Sequence, residues 1–143
     1  MIRIAASILI VASVLALGAC SSGVAGPAGW KKTGPGVWTS PTGERYAYVS
    51  RKFDGTISDL ASQVATDMEL SHRGARLLRS DPIAACPAQA AIATFVQGTT
   101  TIEQAFGVID NRSITIAYSR PSGAPEAAAA TAAMEHTLCA APL

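Results

Sequence analysis

Residues Thr99 to Tyr118 read TTTIEQAFGVIDNRSITIAY, and this stretch decides the fold class. Apolar residues recur at every second position in parts of both halves. This two-residue period is typical of a β-strand. Asp110-Asn111 predicts a two-residue turn between the halves, because both residue types tolerate the positive φ angles of a tight hairpin. The stretch therefore predicts two antiparallel strands, over Thr99–Asp110 and Arg112–Tyr118.

Two further strands are predicted before this pair. An apolar, β-branched run from Ala88 to Val96 ends at Gln97-Gly98 and predicts a strand next to the first pair. The short segment Ala75–Ser80 is a strand candidate that Asp81-Pro82 should end. Three strands in succession with short connections predict an antiparallel meander.

An aromatic hairpin is predicted nearer the N-terminus. Val37–Thr39 and Glu44–Val49 favour strands, and Ser40–Gly43 between them has proline and glycine where a tight turn needs them. Tyr46 and Tyr48 share one face of the second strand. Two such aromatics form either a ligand platform or part of a core packed against a helix, and we expect packing.

Two helices complete the predicted elements. Thr56 is a favourable N-cap, and Asp59 stands where a capping box has its acid. Apolar residues then recur at intervals of three and four and form one stripe: Ile57, Leu60, Ala61, Val64, Ala65 and Met68. Gly74 should end this helix. Pro125-Glu126 opens a second helix over Ala127–Leu138, rich in helix formers.

This order of elements predicts an α+β domain in which two helices cover an antiparallel sheet of about five to six strands. From Val37 to Leu138 the pattern resembles the PsbP-like fold, an α/β/α sandwich of photosystem lumen proteins and many small bacterial lipoproteins. The residues that carry the resemblance are the aromatic hairpin around Trp38 and Tyr46-Tyr48, the helix Thr56–Leu70, the meander closing on Ile114–Tyr118, and the last helix. The resemblance implies a non-catalytic binding or assembly module, although fold alone does not give function.

The N-terminal segment predicts export and a lipid anchor. Arg3 precedes an apolar run, Ile4–Leu17, which is too short for a spanning helix of about 20 residues but fits a signal peptide. Leu17-Gly18-Ala19-Cys20 has the pattern of a bacterial lipobox, in which the cysteine is lipidated and becomes the first residue of the mature chain. The alternatives are an ordinary signal peptide cleaved after Ala19 and an uncleaved anchor.

The predicted organisation is a signal peptide over 1–19, a flexible tether over 20–36 and one domain over 37–143. The tether is rich in Ser, Gly, Ala and Pro. Trp30 lies within it and either packs on the domain, which we favour, or rests at the membrane interface. Lipid on Cys20 would anchor the chain to the cell membrane or outer membrane, with the domain facing the periplasm or the exterior.

Cys86 and Cys139 remain if Cys20 carries lipid. An exported protein meets an oxidising compartment, so an even pair of thiols predicts a disulfide. Two buried free thiols or a metal-binding pair are the alternatives.

Composition and motifs exclude several functions. Without Arg3 the chain has 10 basic and 10 acidic residues, so no basic face is available for nucleic acid or for an anionic membrane. His72 and His136 lack ligand spacing, and Asp54, Asp81 and Asp110 are expected in turns, so we predict no metal and no cofactor. The predicted function is therefore a binding module for an envelope protein or a small ligand. An envelope enzyme with an acid and histidine site is the alternative.

Overall fold

The computed structural model describes residues 24–83, 86 and 89–139. These residues form seven strands and two helices: β1 (Lys31–Gly34), β2 (Val37–Thr39), β3 (Arg45–Lys52), α1 (Ile57–Ser71), β4 (Arg76–Pro82), β5 (Gln89–Gln97), β6 (Thr100–Ile109), β7 (Arg112–Pro121) and α2 (Ala128–Cys139). All seven strands lie in one antiparallel sheet in the order β1-β2-β3-β7-β6-β5-β4.

One helix covers each face of the sheet, so the domain has three layers. Successive side chains of a strand point to opposite faces. On β6, Ile102 and Phe106 accordingly pack against α1, whereas Ala105 packs against α2. The α1 side of the core also takes Phe95 from β5, and the α2 side includes Ile116 from β7.

The prediction of α1 is confirmed down to its first turn. The Thr56 hydroxyl accepts a hydrogen bond from the Asp59 amide, and the Asp59 carboxylate accepts one from the Thr56 amide, which is a complete capping box. The Asp59 carboxylate accepts from both the amide and the hydroxyl of Thr56, and these two hydrogen bonds hold its pKa below the ordinary value. Leu60, Val64 and Met68 are the buried residues of the predicted stripe.

The hairpin and the meander are confirmed as well. Asp110 and Asn111 form the turn between β6 and β7 with φ angles of 48° and 57°, the left-handed values that their residue types tolerate. Tyr46 is fully buried and Tyr48 is partly buried against the α2 side of the core. The two tyrosines are therefore core residues, as expected.

The predicted number of strands is wrong, since the sheet has seven and not five to six. The missed strand is β1, which lies within the range 20–36 that the sequence assigns to a tether. β1 is mostly exposed at the edge of the sheet, so it lacks the apolar alternation by which a strand is recognised. The ring of Trp30, just before it, lies 6.0 Å from the Tyr118 ring. Asp81-Pro82, predicted to end β4, instead forms its last two residues.

Candidate functional site

The structure brings together the two cysteines predicted to pair. Cys86 precedes β5 and Cys139 ends α2, and their Cα atoms are 4.3 Å apart with the sulfur atoms joined. This link connects the end of α2 to the segment that leads into the sheet. The lipobox and Cys20 lie outside the described residues.

The polar residues considered for catalysis do not converge. His72 is the C-cap of α1, where its Nδ1 lies 2.9 Å from the Ser71 hydroxyl, and His136 lies in the last turn of α2. Asp110 belongs to the β6–β7 turn, and Asp81 lies in β4, where it pairs with Arg79 at 3.3 Å. Neither histidine lines the two cavities described below.

A groove runs along α1 where the helix leaves part of the sheet open. α1 packs on β5 and β6, and the neighbouring strands β7 and β3 extend beyond its edge. The groove between α1 and these two strands has a volume of about 180 Å³. We call it the α1 groove. It is lined by Ala47, Val49, Arg51, Leu60, Gln63, Val64, Asp67, Gln104, Ser113, Thr115 and Ala117.

The strand register explains why the floor of the α1 groove is lined mainly by small side chains. Ala47 of β3 lies opposite Ala117 of β7, and Val49 lies opposite Thr115, so small side chains face each other. Val49 is 45% exposed although it lies beside the core. The floor therefore offers apolar surface that no element of the described chain covers.

Polar groups surround this apolar floor. Arg51 continues β3 beyond Val49, and Gln63 and Asp67 project from α1 on the other side. Gln104 donates to the Met68 sulfur at 3.2 Å, while its carbonyl oxygen is buried without a hydrogen-bond partner in the protein. Since a buried polar atom without a partner is unfavourable, this oxygen is an acceptor that the described residues leave unsatisfied. An apolar floor with a few polar groups at its rim is typical of a binding site.

A group of ionisable side chains lies on the other face of the sheet. Glu103 of β6 is almost completely enclosed, with 5% of its side chain exposed, and Arg120 of β7 lies 3.4 Å from it. Arg120 also pairs with Glu126, just before α2, at 3.5 Å. One arginine therefore bridges a buried carboxyl of the sheet and an outer carboxyl at the start of the helix. We call these three residues the carboxyl cluster.

The pKa values of the two carboxyls in the cluster are shifted in opposite directions. Burial raises the pKa of Glu103 to about 7, and the hydrogen bond with Glu126 and its negative charge add to this increase, while Arg120 opposes it. The same hydrogen bond holds the pKa of Glu126 below its ordinary value. Between the two pKa values the pair therefore shares one proton, which the more deeply buried Glu103 holds.

Tyr118 makes a second connection beside the cluster. Its hydroxyl donates to Glu44 Oε1 at 2.5 Å and accepts from the Ala127 amide at 3.0 Å. Burial and the hydrogen bond to Glu44 raise the pKa of this hydroxyl to about 12. Glu44 Oε2 is held in turn by the hydroxyls of Ser40 and Thr42. The segment that leads into α2 is therefore held to the sheet by two contacts, Arg120 with Glu126 and Tyr118 with Ala127. The carboxyl cluster thus has a structural role at the start of this helix.

A second cavity of about 180 Å³ opens next to the carboxyl cluster. Glu103, Glu126 and Glu135 contribute carboxyls to its wall, and Ile92 and Met134 contribute apolar surface. Three metal-ligating side chains do not come together as a cation site anywhere within 24–83, 86 and 89–139. Neither helix of this part of the chain has the length and apolarity needed to cross a membrane.

Sequence reasoning did not find either feature. The alternation of β6 places Glu103 on the same face as Ala105, but it does not tell which helix covers that face. The α1 groove depends on where α1 lies over the sheet, which no local pattern reports. The one available signal was a glutamate among the small residues of a central strand, a position where carboxylates are rarely buried without a partner.

Comparison with known proteins yields similarities to solved structures only. No protein-family model matches the chain, and no curated protein matches it. The fold is similar to the solution structure of cyanobacterial PsbP (CyanoP) from Synechocystis sp. PCC 6803, with a TM-score of 0.48 and 16% sequence identity, over 67% of this chain and 72% of that chain. That protein is a PsbP, the family that the order of elements in the sequence resembles. At this level of identity nothing about ligands or partners follows for this chain.

Proposed function

We propose that this protein is a lipid-anchored, non-catalytic binding module of the cell envelope, and that the α1 groove is its binding surface. The observation that carries the proposal is the uncovered apolar floor of the groove, where Val49 is 45% exposed between small residues of β3 and β7. The occupant would be an envelope protein's apolar segment or a small amphipathic ligand.

The chemistry of the groove supports binding in preference to catalysis. The side chains at its rim are an arginine, an aspartate, amides and hydroxyls, which can orient a ligand by hydrogen bonds. The carboxyl cluster, the group with the most perturbed pKa, lies on the opposite face and ties α2 to the sheet. Neither histidine lines the α1 groove or the cavity beside the carboxyl cluster, so the acid and histidine site of the alternative function is not assembled at either cavity.

The location of the module rests on its N-terminal segment. A lipid on Cys20 would hold the domain at the surface of the cell membrane or outer membrane, facing the periplasm or the exterior. Each buried methylene of such a lipid contributes about 0.8 kcal/mol, so several acyl chains make anchoring stable. Cys20→Ser should release the protein from membranes and remove the lipid from its mass. A Cys20→Ser protein that still partitions with membranes, or a wild-type mass without lipid, contradicts the anchor.

Binding at the α1 groove is tested by filling it. Ala117→Trp puts a large ring on the floor, and Ala128→Trp makes the same change on the exposed start of α2 as the matched control. The wild type and both variants are purified from membranes in mild detergent, and the co-purifying proteins and small molecules are identified by mass spectrometry.

We expect a species that co-purifies with the wild type and with Ala128→Trp and is lost with Ala117→Trp. Thermal melting followed by circular dichroism establishes that the groove variant is folded. A species retained by all three forms would place binding outside the groove. If nothing co-purifies with either the wild type or the control, the module interpretation fails.

A further inference from the structure

The sheet ends at β4 in a strand with an open edge. β4 is the last strand in the order of the sheet, and it pairs only with β5 among the described residues. All seven residues of Arg76–Pro82 are exposed. The outer backbone groups of such a strand are a template for pairing with another chain. At the opposite end of the sheet, β1 has only four residues, so it offers fewer backbone groups. Each of the two edge strands has one register shift, between Lys32 and Gly34 in β1 and between Leu77 and Arg79 in β4.

Apolar and charged side chains accompany this open backbone. Leu77 and Leu78 are each 51% exposed, and they are two of the four exposed large apolar residues among those described. The register places Arg76 opposite Val96 and Arg79 opposite Thr94, two residues apart on β5, so both arginines lie on the face that α2 covers elsewhere. Leu77, opposite Phe95, lies on the α1 face.

We propose that the outer edge of β4 binds an extended strand of a partner protein with alternating acidic and apolar residues. Its acidic side chains would lie opposite Arg76 and Arg79, and its apolar side chains would contact Leu77 on the other face. Backbone hydrogen bonds supply affinity in this mode of recognition, and alternate side chains supply specificity. This surface is separate from the α1 groove, so the two proposals can fail independently.

The charges at the edge favour such a partner over a second copy of the chain. Arg79 is the central residue of β4, so two β4 strands paired antiparallel about their centres would place Arg79 opposite its own copy. Like charges in that position are destabilising. Asp81 lies on the arginine face and already pairs with Arg79, with both side chains mostly exposed. The partner residue opposite Asp81 should therefore be neutral.

The experiment uses two synthetic peptides with the full-length chain in non-ionic detergent. The acidic peptide is acetyl-Gly-Val-Thr-Val-Glu-Val-Glu-Gly-amide, and the basic peptide has lysine in place of both glutamates. Binding is followed by the backbone amide resonances of the isotope-labelled protein. We expect the acidic peptide to bind with shifts confined to β4 and its neighbours, and about tenfold more tightly than the basic one, since two ion pairs replace two like-charge contacts.

Exchanging the charges on the protein provides the control. Arg76→Glu with Arg79→Glu should reverse the preference, and Arg45→Glu, at an exposed arginine of β3, should leave it unchanged. Equal affinity for both peptides, shifts located away from β4, or no shifts up to about 1 mM peptide would overturn the proposal. Sedimentation velocity that reveals a dimer lost in Leu77→Lys would overturn it in favour of a second copy.

Discussion

Glu103→Gln should change how the stability of this protein depends on pH. Glu103 is buried beside Arg120, and its pKa in the folded protein is about 7, against an ordinary value of 4.5. Because the folded value is the higher one, the neutral carboxyl contributes stability that is fully present below about pH 4.5 and is lost as pH rises through about 7. Glutamine keeps the shape of the neutral carboxyl and cannot ionise.

The magnitude follows from the two pKa values. Each tenfold change in the protonation equilibrium corresponds to about 1.4 kcal/mol. The increase from 4.5 to about 7 therefore corresponds to about 3 kcal/mol that the wild type loses between acidic and alkaline pH. Relative to the wild type, Glu103→Gln should gain about 3 kcal/mol in the free energy of unfolding over the same interval.

The assay is urea unfolding followed by tryptophan fluorescence, since Trp38 is buried in the core. Curves are recorded for the wild type and the variant from about pH 4.5 to about pH 8.5, the interval that spans both pKa values. Glu69→Gln, at an exposed carboxyl of α1, measures what the loss of a surface charge does. If the difference between Glu103→Gln and the wild type stays constant within about 0.5 kcal/mol, burial does not raise the Glu103 pKa.

Three further changes test the core, the cysteine pair and the helix cap. Leu60→Ala should lower the free energy of unfolding by about 2 to 5 kcal/mol, because Leu60 is 2% exposed, whereas Leu70→Ala, at a 77% exposed residue, should change it by less than about 0.5 kcal/mol; urea titration measures both. Thiol titration of the denatured, unreduced protein should find neither Cys86 nor Cys139 free, and reduction should cost about 4 kcal/mol for a closed loop of this length; two free thiols would disprove the bond. Thr56→Ala should cost about 1 kcal/mol in thermal or urea unfolding, because the first turn of α1 loses its cap, and an unchanged midpoint would mean that the capping box contributes nothing.

The elements predicted correctly are those whose side chains divide cleanly between core and solvent. The stripe of α1 has a helical period, and its buried members Leu60, Val64 and Met68 are the ones that meet the sheet. The β6–β7 hairpin combines a two-residue period with Asp110-Asn111 at the turn. In both cases the local pattern and the tertiary environment agree, so the sequence is sufficient.

The elements that were missed lack such a division. β1 has the sequence Lys-Lys-Thr-Gly and pairs on one side only. Its polar composition is that of an exposed edge strand and lacks the apolar residues of a core strand. The end of β4 was placed too early because proline was expected to stop a strand, yet proline is tolerated where a backbone amide faces away from the ladder.

The site features depend on neighbours that are distant in sequence. Glu103 meets Arg120 through the β6–β7 pairing, and it meets Glu126 only because α2 begins over the same face. The α1 groove exists because α1 covers β5 and β6 but leaves β7 and β3 open. Neither arrangement can be read from a window of adjacent residues. The pairing of Cys86 with Cys139, in contrast, is predicted from the number of cysteines that remain after Cys20.

The position of β7 in the sheet has a consequence for how the chain folds. β7 pairs with β3 on one side and β6 on the other, and Arg45 lies beside Ser119, far along the chain. Until residues 112–121 are available, the N-terminal hairpin and the β4–β6 meander are two fragments with no shared hydrogen bonds. Closing the sheet therefore requires β7 to pair with β3 across a long separation in sequence. Such non-local closure makes folding slow compared with a domain of neighbouring contacts.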